Sequence, residues 1–184
     1  KEEVQSLVSN GCKEITLLGQ NINSYGKGLP GKVNLGDLLS ALEDIDGLER
    51  VRFVTSHPAD MSRDIIRTIS RLKKVCEYIH IPAQSGSDRL LALMRRGYTS
   101  GYYRELIHFA REYIPNLSVA SDFIVGFPGE TDEDFQETVR LMEDIRFQNC
   151  FIFKYSPRTG TKAVELIDDV ADEIKRERNL KLLE

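Results

Sequence analysis

The sequence predicts an α/β fold of parallel strands with helices outside, a barrel or open barrel rather than a sandwich. Three observations carry this. Strand-like and helix-like apolar patterns alternate along the chain, the order that parallel pairing with right-handed crossovers requires. Phe123-Ile124-Val125 is an uninterrupted apolar run, as in a strand covered on both faces. Gly126, Pro128 and Gly129 then break that run in a tight turn leading into a helix, and the carboxyl ends of parallel strands are where a ligand cavity forms.

Taken in order, Val4, Leu7 and Val8 predict a helix over residues 1 to 10, ended at Gly11. Ile15 to Leu18 is a short strand, and a polar loop runs from Gly19 through Gly26 to Pro30-Gly31. Leu35, Leu38, Leu39, Leu42 and Ile45 mark the next helix, with Asn34 as its cap and Gly47 beyond its end. Val51 to Thr55 is the second strand, Ser56-His57-Pro58 its exit, and Ile65, Ile66, Ile69 and Leu72 mark the helix after it.

Tyr78 to Pro82 is the third strand, followed by a loop from Ala83 to Asp88 and a short helix through Leu90, Leu91 and Met94. A basic turn, Arg95 to Thr99, leads to a long helix carried by Tyr102, Leu106, Phe109, Ala110 and Tyr113. After the fourth strand, Thr131 and Asp134 form a capping pair, and Phe135, Val139, Met142 and Ile145 set the helix stripe. Phe151 to Lys154 is the fifth strand, with a polar exit from Tyr155 to Thr161. The tail from about Ala171 is helical in propensity and crowded with charge. A chain opening on a helix is expected to lack the strand that would feed it, as if it began inside a larger fold.

At 184 residues, 41% hydrophobic and 29% charged, the composition suits one soluble globular domain. No stretch approaches the ~20 apolar residues of a membrane span, so no membrane partner is expected. The formal net charge of -4 argues against an unaided grip on nucleic acid, but leaves room for a nucleic-acid substrate held mainly by another domain. Cys12, Cys76 and Cys150 have no ligand-like spacing and fit reduced thiols of a cytoplasmic protein, Cys150 as a small core residue. His57, His80 and His108 also lack such spacing, so no metal site is expected within the chain. Arg95 and Arg96 could touch phosphate but read by default as a solvated turn, and Asp132, Glu133 and Asp134 read as acidic residues favoured by a helix dipole.

Alternation along the strands then places the polar groups. Along Tyr78 to Gln84 the isoleucines face the helices, so His80 and Gln84 face inward; Asp122, Ile124 and Gly126 share one face of the fourth strand. Gln20 and Asn21, Gln84 and Ser85, Asp122, and Tyr155 with Ser156 therefore converge on one mouth. Amides, hydroxyls and one carboxylate with scarcely any Lys suit a neutral or zwitterionic ligand.

Several loops together resemble the radical SAM methylthiotransferases. They are Leu18 to Gly26, Thr55-Ser56-His57-Pro58, Ile81 to Ser87, Met94 to Thr99, Asp122 to Thr131 and Tyr155 to Thr161. The Gly19 to Gly26 loop, Gln84-Ser85-Gly86-Ser87 and Arg96-Gly97-Tyr98-Thr99 are most similar to the branch that makes 2-methylthio-isopentenyladenosine beside the anticodon of transfer RNA. The resemblance implies a partial, open TIM-like barrel of which this chain supplies five parallel strands, the first strand and the cluster loop being missing. It implies S-adenosylmethionine bound to a four-iron four-sulfur cluster held by a CxxxCxxC loop, cleaved to a deoxyadenosyl radical by an electron from a reducing donor.

It also implies an N-terminal domain with a second cluster and a C-terminal TRAM domain for the RNA. None of these parts lies in residues 1–184, which are expected to be the truncated core and inactive alone. By the same resemblance Gln20 and Asn21 would meet the methionyl amino group, and Gln84 and Ser85 the ribose or the methionyl carboxylate. Asp122, Ile124 and Gly126 would line ribose and adenine, with Tyr155 beside the adenine. The family's usual Gly-Glu is here Gly19-Gln20, an amide that accepts a hydrogen bond without a countercharge. No catalytic residue is assigned. An enzyme modifying a ribosomal protein, and a non-catalytic RNA- or protein-interaction module on the same fold, stay open as alternatives.

Overall fold

A computed structural model describes residues 1–31 and 33–184. Its Cα packing divides into two compact units. The first comprises Lys1–Ile81 with His108–Val119, the second Pro82–Ile107 with Ala120–Glu184.

In the first unit α1 (Glu2–Ser9) precedes β1 (Glu14–Leu17), α2 (Leu35–Glu43), β2 (Arg50–Phe53), α3 (Arg63–Ile69) and β3 (Tyr78–His80). β1 and β2 pair in parallel, with Ile15 opposite Val51 and Leu17 opposite Phe53. A parallel bridge between Val51 and Val75 continues the order toward β3. Asn34 caps α2 as the sequence predicts: its Oδ1 accepts the Gly36 N–H at 2.7 Å, and the Asp37 carboxylate accepts the Asn34 N–H at 2.8 Å. Leu35, Leu39 and Leu42 of α2, Val51 and Phe53 of β2, and Ile65, Ile66 and Ile69 of α3 are buried in the core.

The second unit holds α4 (Asp88–Leu93), the start of α5 (Ser100–Tyr113), most of β4 (Ser118–Val125), α6 (Asp132–Ile145), β5 (Asn149–Lys154) and α7 (Asp172–Leu183). In it β4 and β5 run parallel, with Asp122 opposite Phe151 and Ile124 opposite Phe153. Parallel pairing of strands separated by helices, as the sequence predicts, holds within each unit.

Three details depart from the sequence reading. β4 is not covered on both faces: Phe123 and Val125 are fully buried while Asp122 and Ile124 stay partly open. Their side of the strand borders a cavity instead of a helix. The acidic start of α6 is more than a dipole effect, since Asp134 is buried and fully hydrogen-bonded. The charged tail does form a helix, α7, and two of its cations, Lys175 and Arg178, lie inside the protein. Its apolar contact is Leu182, packed with Val125 and Phe135.

Candidate functional site

A cavity of about 850 Å³ opens within the second unit, where β4 and β5 end. Its walls include Gln84, Asp122, Ile124, Phe153 and Tyr155, with Arg96 alongside. Pairing of Asp122 with Phe151 and Ile124 with Phe153 puts these side chains on one face of the sheet. The carboxylate, an aliphatic side chain and aromatic rings therefore reach one space because of strand period and register.

Gln84 is placed by backbone geometry that few residues adopt. Its φ is 68°, in the left-handed region. Its N–H donates to the Asp122 carbonyl at 2.8 Å, and its own carbonyl accepts the Ile124 N–H at 2.9 Å. The loop beyond it is fastened to α6. The Gly86 N–H donates to Thr138 Oγ1 at 2.9 Å, and Ser87 Oγ donates to Asp134 Oδ1 at 2.6 Å. From the other side, Tyr98 Oη donates to the Ala83 carbonyl at 3.1 Å, and burial pushes this phenol up to about 12.

Just after β5, Tyr155 donates its N–H to the Val125 carbonyl at 2.8 Å, and its ring meets Phe127 edge-on at 5.2 Å between centroids. Its hydroxyl donates to the Ala163 carbonyl at 3.1 Å. Opposite Ser121 in the β4–β5 pairing, the Cys150 thiol is raised to about 12 by burial and then by the Asp122 charge, which keeps it protonated at neutral pH.

The sequence reading set Arg96 aside as part of a solvated turn. The Arg95-Arg96 turn is not merely solvated: both residues border the cavity, and Arg96 Nε is buried without a hydrogen-bond partner. A buried donor left unsatisfied is costly, so this guanidinium is suited to an anionic group of a ligand, a carboxylate or a phosphate. Lys154 and Lys162 also line the cavity, with Arg158, so the expectation of scarcely any Lys there is corrected. The signal lay in the spacing of Arg96 to Gln84, but only folding of α4 brings the turn back to the strand ends.

Of the expected site residues, Gln84, Asp122, Ile124 and Tyr155 share the cavity wall. Ser85 is buried, its hydroxyl 3.2 Å from Thr138 Oγ1 and accepting the Ser87 N–H at 3.1 Å. Gly126 forms the turn after β4, with a φ of 69° and its N–H donated to the Glu130 carboxylate at 2.6 Å. Gln20 and Asn21 belong to the first unit. There Gln20 is exposed, while Asn21 donates to Asp60 at 2.5 Å and keeps a buried Oδ1 without a partner. That oxygen is an acceptor of the kind an ammonium group needs. Among the described residues no group of three or more His, Cys, Asp or Glu is placed to hold a metal ion.

The family model described as "Radical SAM superfamily" matches residues 1–142. The tRNA-2-methylthio-N(6)-dimethylallyladenosine synthase of Desulforamulus reducens is 51% identical over 183 residues, all of this chain and 40% of that protein. The synthase of the same name from Carboxydothermus hydrogenoformans is 49% identical over 183 residues, covering 42% of its length. This chain thus spans well under half of the curated relatives it matches. Among solved structures, Escherichia coli coproporphyrinogen III oxidase HemN, a radical SAM enzyme, superposes with a TM-score of 0.70 at 15% identity, over 99% of this chain and 43% of its own. The radical S-adenosylmethionine methyltransferase TsrM of Kitasatospora setae, with cobalamin and [4Fe-4S] cluster bound, gives 0.65 at 17% identity, over 83% and 29%. Those likenesses show the fold, and with the family match over most of its length the chain belongs to the radical SAM superfamily.

Proposed function

We propose that this chain is the S-adenosylmethionine-binding core of a tRNA methylthiotransferase that acts on isopentenyl-adenosine beside the anticodon. The observation that carries the proposal is the cavity, which combines a carboxylate, an apolar wall and an unpartnered guanidinium. Asp122 would accept hydrogen bonds from the ribose hydroxyls, and Ile124 would pack on the adenine. Tyr155 would border the base, and Arg96 would hold the methionyl carboxylate, with Gln84 contributing an amide to the same ligand. In this family the cofactor, bound to a reduced iron–sulfur cluster, supplies the radical chemistry. What the residues of this chain do is bind, orient and exclude water.

Identity near one half with the two synthases supports the transfer RNA branch. The cations Arg95, Lys154, Arg158 and Lys162 at the cavity favour a phosphate-bearing substrate over a protein. A transfer RNA substrate places the work in the cytoplasm, and among the described residues no helix is long and apolar enough to cross a membrane. The enzyme would draw its electron from a reducing partner.

Titration of the chain with S-adenosylhomocysteine tests the reading by calorimetry. Asp122→Ala is expected to weaken binding by about 10–100-fold, from the ~1.5–3 kcal/mol of a hydrogen bond to a charged group. Arg96→Met is expected to weaken S-adenosylhomocysteine but not 5′-deoxyadenosine, which has no carboxylate. Wild-type protein that fails to bind at millimolar ligand, or Asp122→Ala that binds normally, would overturn the assignment.

A further inference from the structure

Helix α7 carries two buried cations. Lys175, 4% exposed, binds both carboxylate oxygens of Asp168 at 2.7 and 2.6 Å. Its aliphatic stem lies over Gly126: Cγ is 2.2 Å from where a Cβ would stand on that residue. Its ammonium is 5.6 Å from the centroid of the Tyr155 ring. Arg178, 6% exposed, binds Glu130 Oε2 at 2.7 Å and Asp132 at 2.6 Å.

Glu130 Oε2 is also the atom that accepts the Gly126 N–H at 2.6 Å. One carboxylate oxygen thus ties the turn after β4 to a guanidinium on α7. The turn in turn sets the cavity wall. Ile124 lies two residues before Gly126, Tyr155 hangs from the Val125 carbonyl, and Phe127 packs on the Tyr155 ring.

A charge is buried in a protein only when partners replace its water, and a helix needs no buried lysine to dock. Leu182 already packs α7 on Val125 and Phe135.

We infer that Lys175 and Arg178 are positioning residues for the nucleoside end of the ligand: α7 holds the Ile124–Phe127 turn and Tyr155 in the shape that binds adenosine. The inference rests on the cofactor reading proposed above. It adds an element that makes no contact with the ligand and yet sets its affinity.

The test is S-adenosylhomocysteine titration of the full chain at a temperature where circular dichroism shows every variant folded. Arg178→Met is expected to weaken binding about tenfold, and Lys175→Ala by a similar factor, because a binding wall released from its supports loses preorganisation. Arg178→Lys, which can keep one of the two ion pairs, should recover much of the affinity. Ile66→Val, a core change in the first unit, should lower the melting temperature and leave affinity alone.

If Arg178→Met does not fold, Lys175→Ala and Arg178→Lys carry the comparison. Affinities within twofold of wild type in the folded α7 variants would overturn the positioning role, whatever happens to stability. Wild-type protein that does not bind, or binding indifferent to Asp122→Ala, would instead bring down the cofactor reading itself.

Discussion

Gly86→Ala is expected to destabilise the second unit by about 3 kcal/mol or more, lowering the melting temperature by roughly 6–12 °C. The backbone at Gly86 needs no unusual torsion; the reason is space. A Cβ there would stand 2.3 Å from the Glu137 carbonyl oxygen and 2.6 Å from Thr138 Cα. Both are main-chain atoms of α6, so no rotamer change relieves the overlap. The helix would have to move away, breaking the bond from the Gly86 N–H to Thr138 Oγ1 at 2.9 Å and separating the Ser85 and Thr138 hydroxyls, 3.2 Å apart. Urea unfolding followed by circular dichroism reads the loss. A Gly86→Ala protein as stable as wild type would mean that this loop does not press on α6.

Asp134→Ala is the second large loss. The carboxylate accepts from Ser87 Oγ at 2.6 Å, from the Thr131 N–H at 2.9 Å and from Thr131 Oγ1 at 2.7 Å, and it is paired with Arg89. Removing it strands buried donors on the Ser87 loop and uncaps α6. We expect a loss of about 2–3 kcal/mol, below the full value for a buried pair because Arg89 is half exposed to solvent. Asp134→Asn, which keeps the volume and one acceptor oxygen, should lose about half as much.

The same carboxyl gives a pH dependence. Burial alone would raise it, but the hydrogen bonds from Arg89, Ser87 and Thr131 hold it well below the usual carboxylate range. The unfolded chain therefore takes up a proton at this group more readily than the folded one. Its contribution is complete above the unfolded value of about 3.9 and is lost as the pH falls below it toward the folded value. Wild-type stability should drop more steeply than that of Asp134→Asn between about pH 4 and pH 2. Parallel slopes would rule out Asp134 as the titrating group.

The capping pairs show how much of this fold can be read locally. Asn34 with Asp37, and Thr131 with Asp134, satisfy helix N-termini from residues three apart, and the chemistry is visible in the sequence. The face shared by Asp122 and Ile124 is equally legible, because side chains alternate along any strand. Ser85 shows where this stops. It stands beside Gln84 at a strand end, yet its hydroxyl is turned to Thr138, a residue 53 positions away. The cations of α7 were hidden for the same reason: the partner of Arg178 that matters, Glu130, is 48 positions distant, and a helix crowded with charge reads as a solvated one.

The amino-acid order alone therefore determined the succession of strands and helices, the turn after β4, and which residues of β4 share a side. These depend on period, capping and glycine placement, all properties of near neighbours. Folding in three dimensions decided which polar groups open onto the cavity and which are spent inside. Whether Arg96 stays available, Ser85 turns inward or Arg178 can be buried depends on a partner from a remote segment arriving to replace water, and no local pattern encodes that arrival.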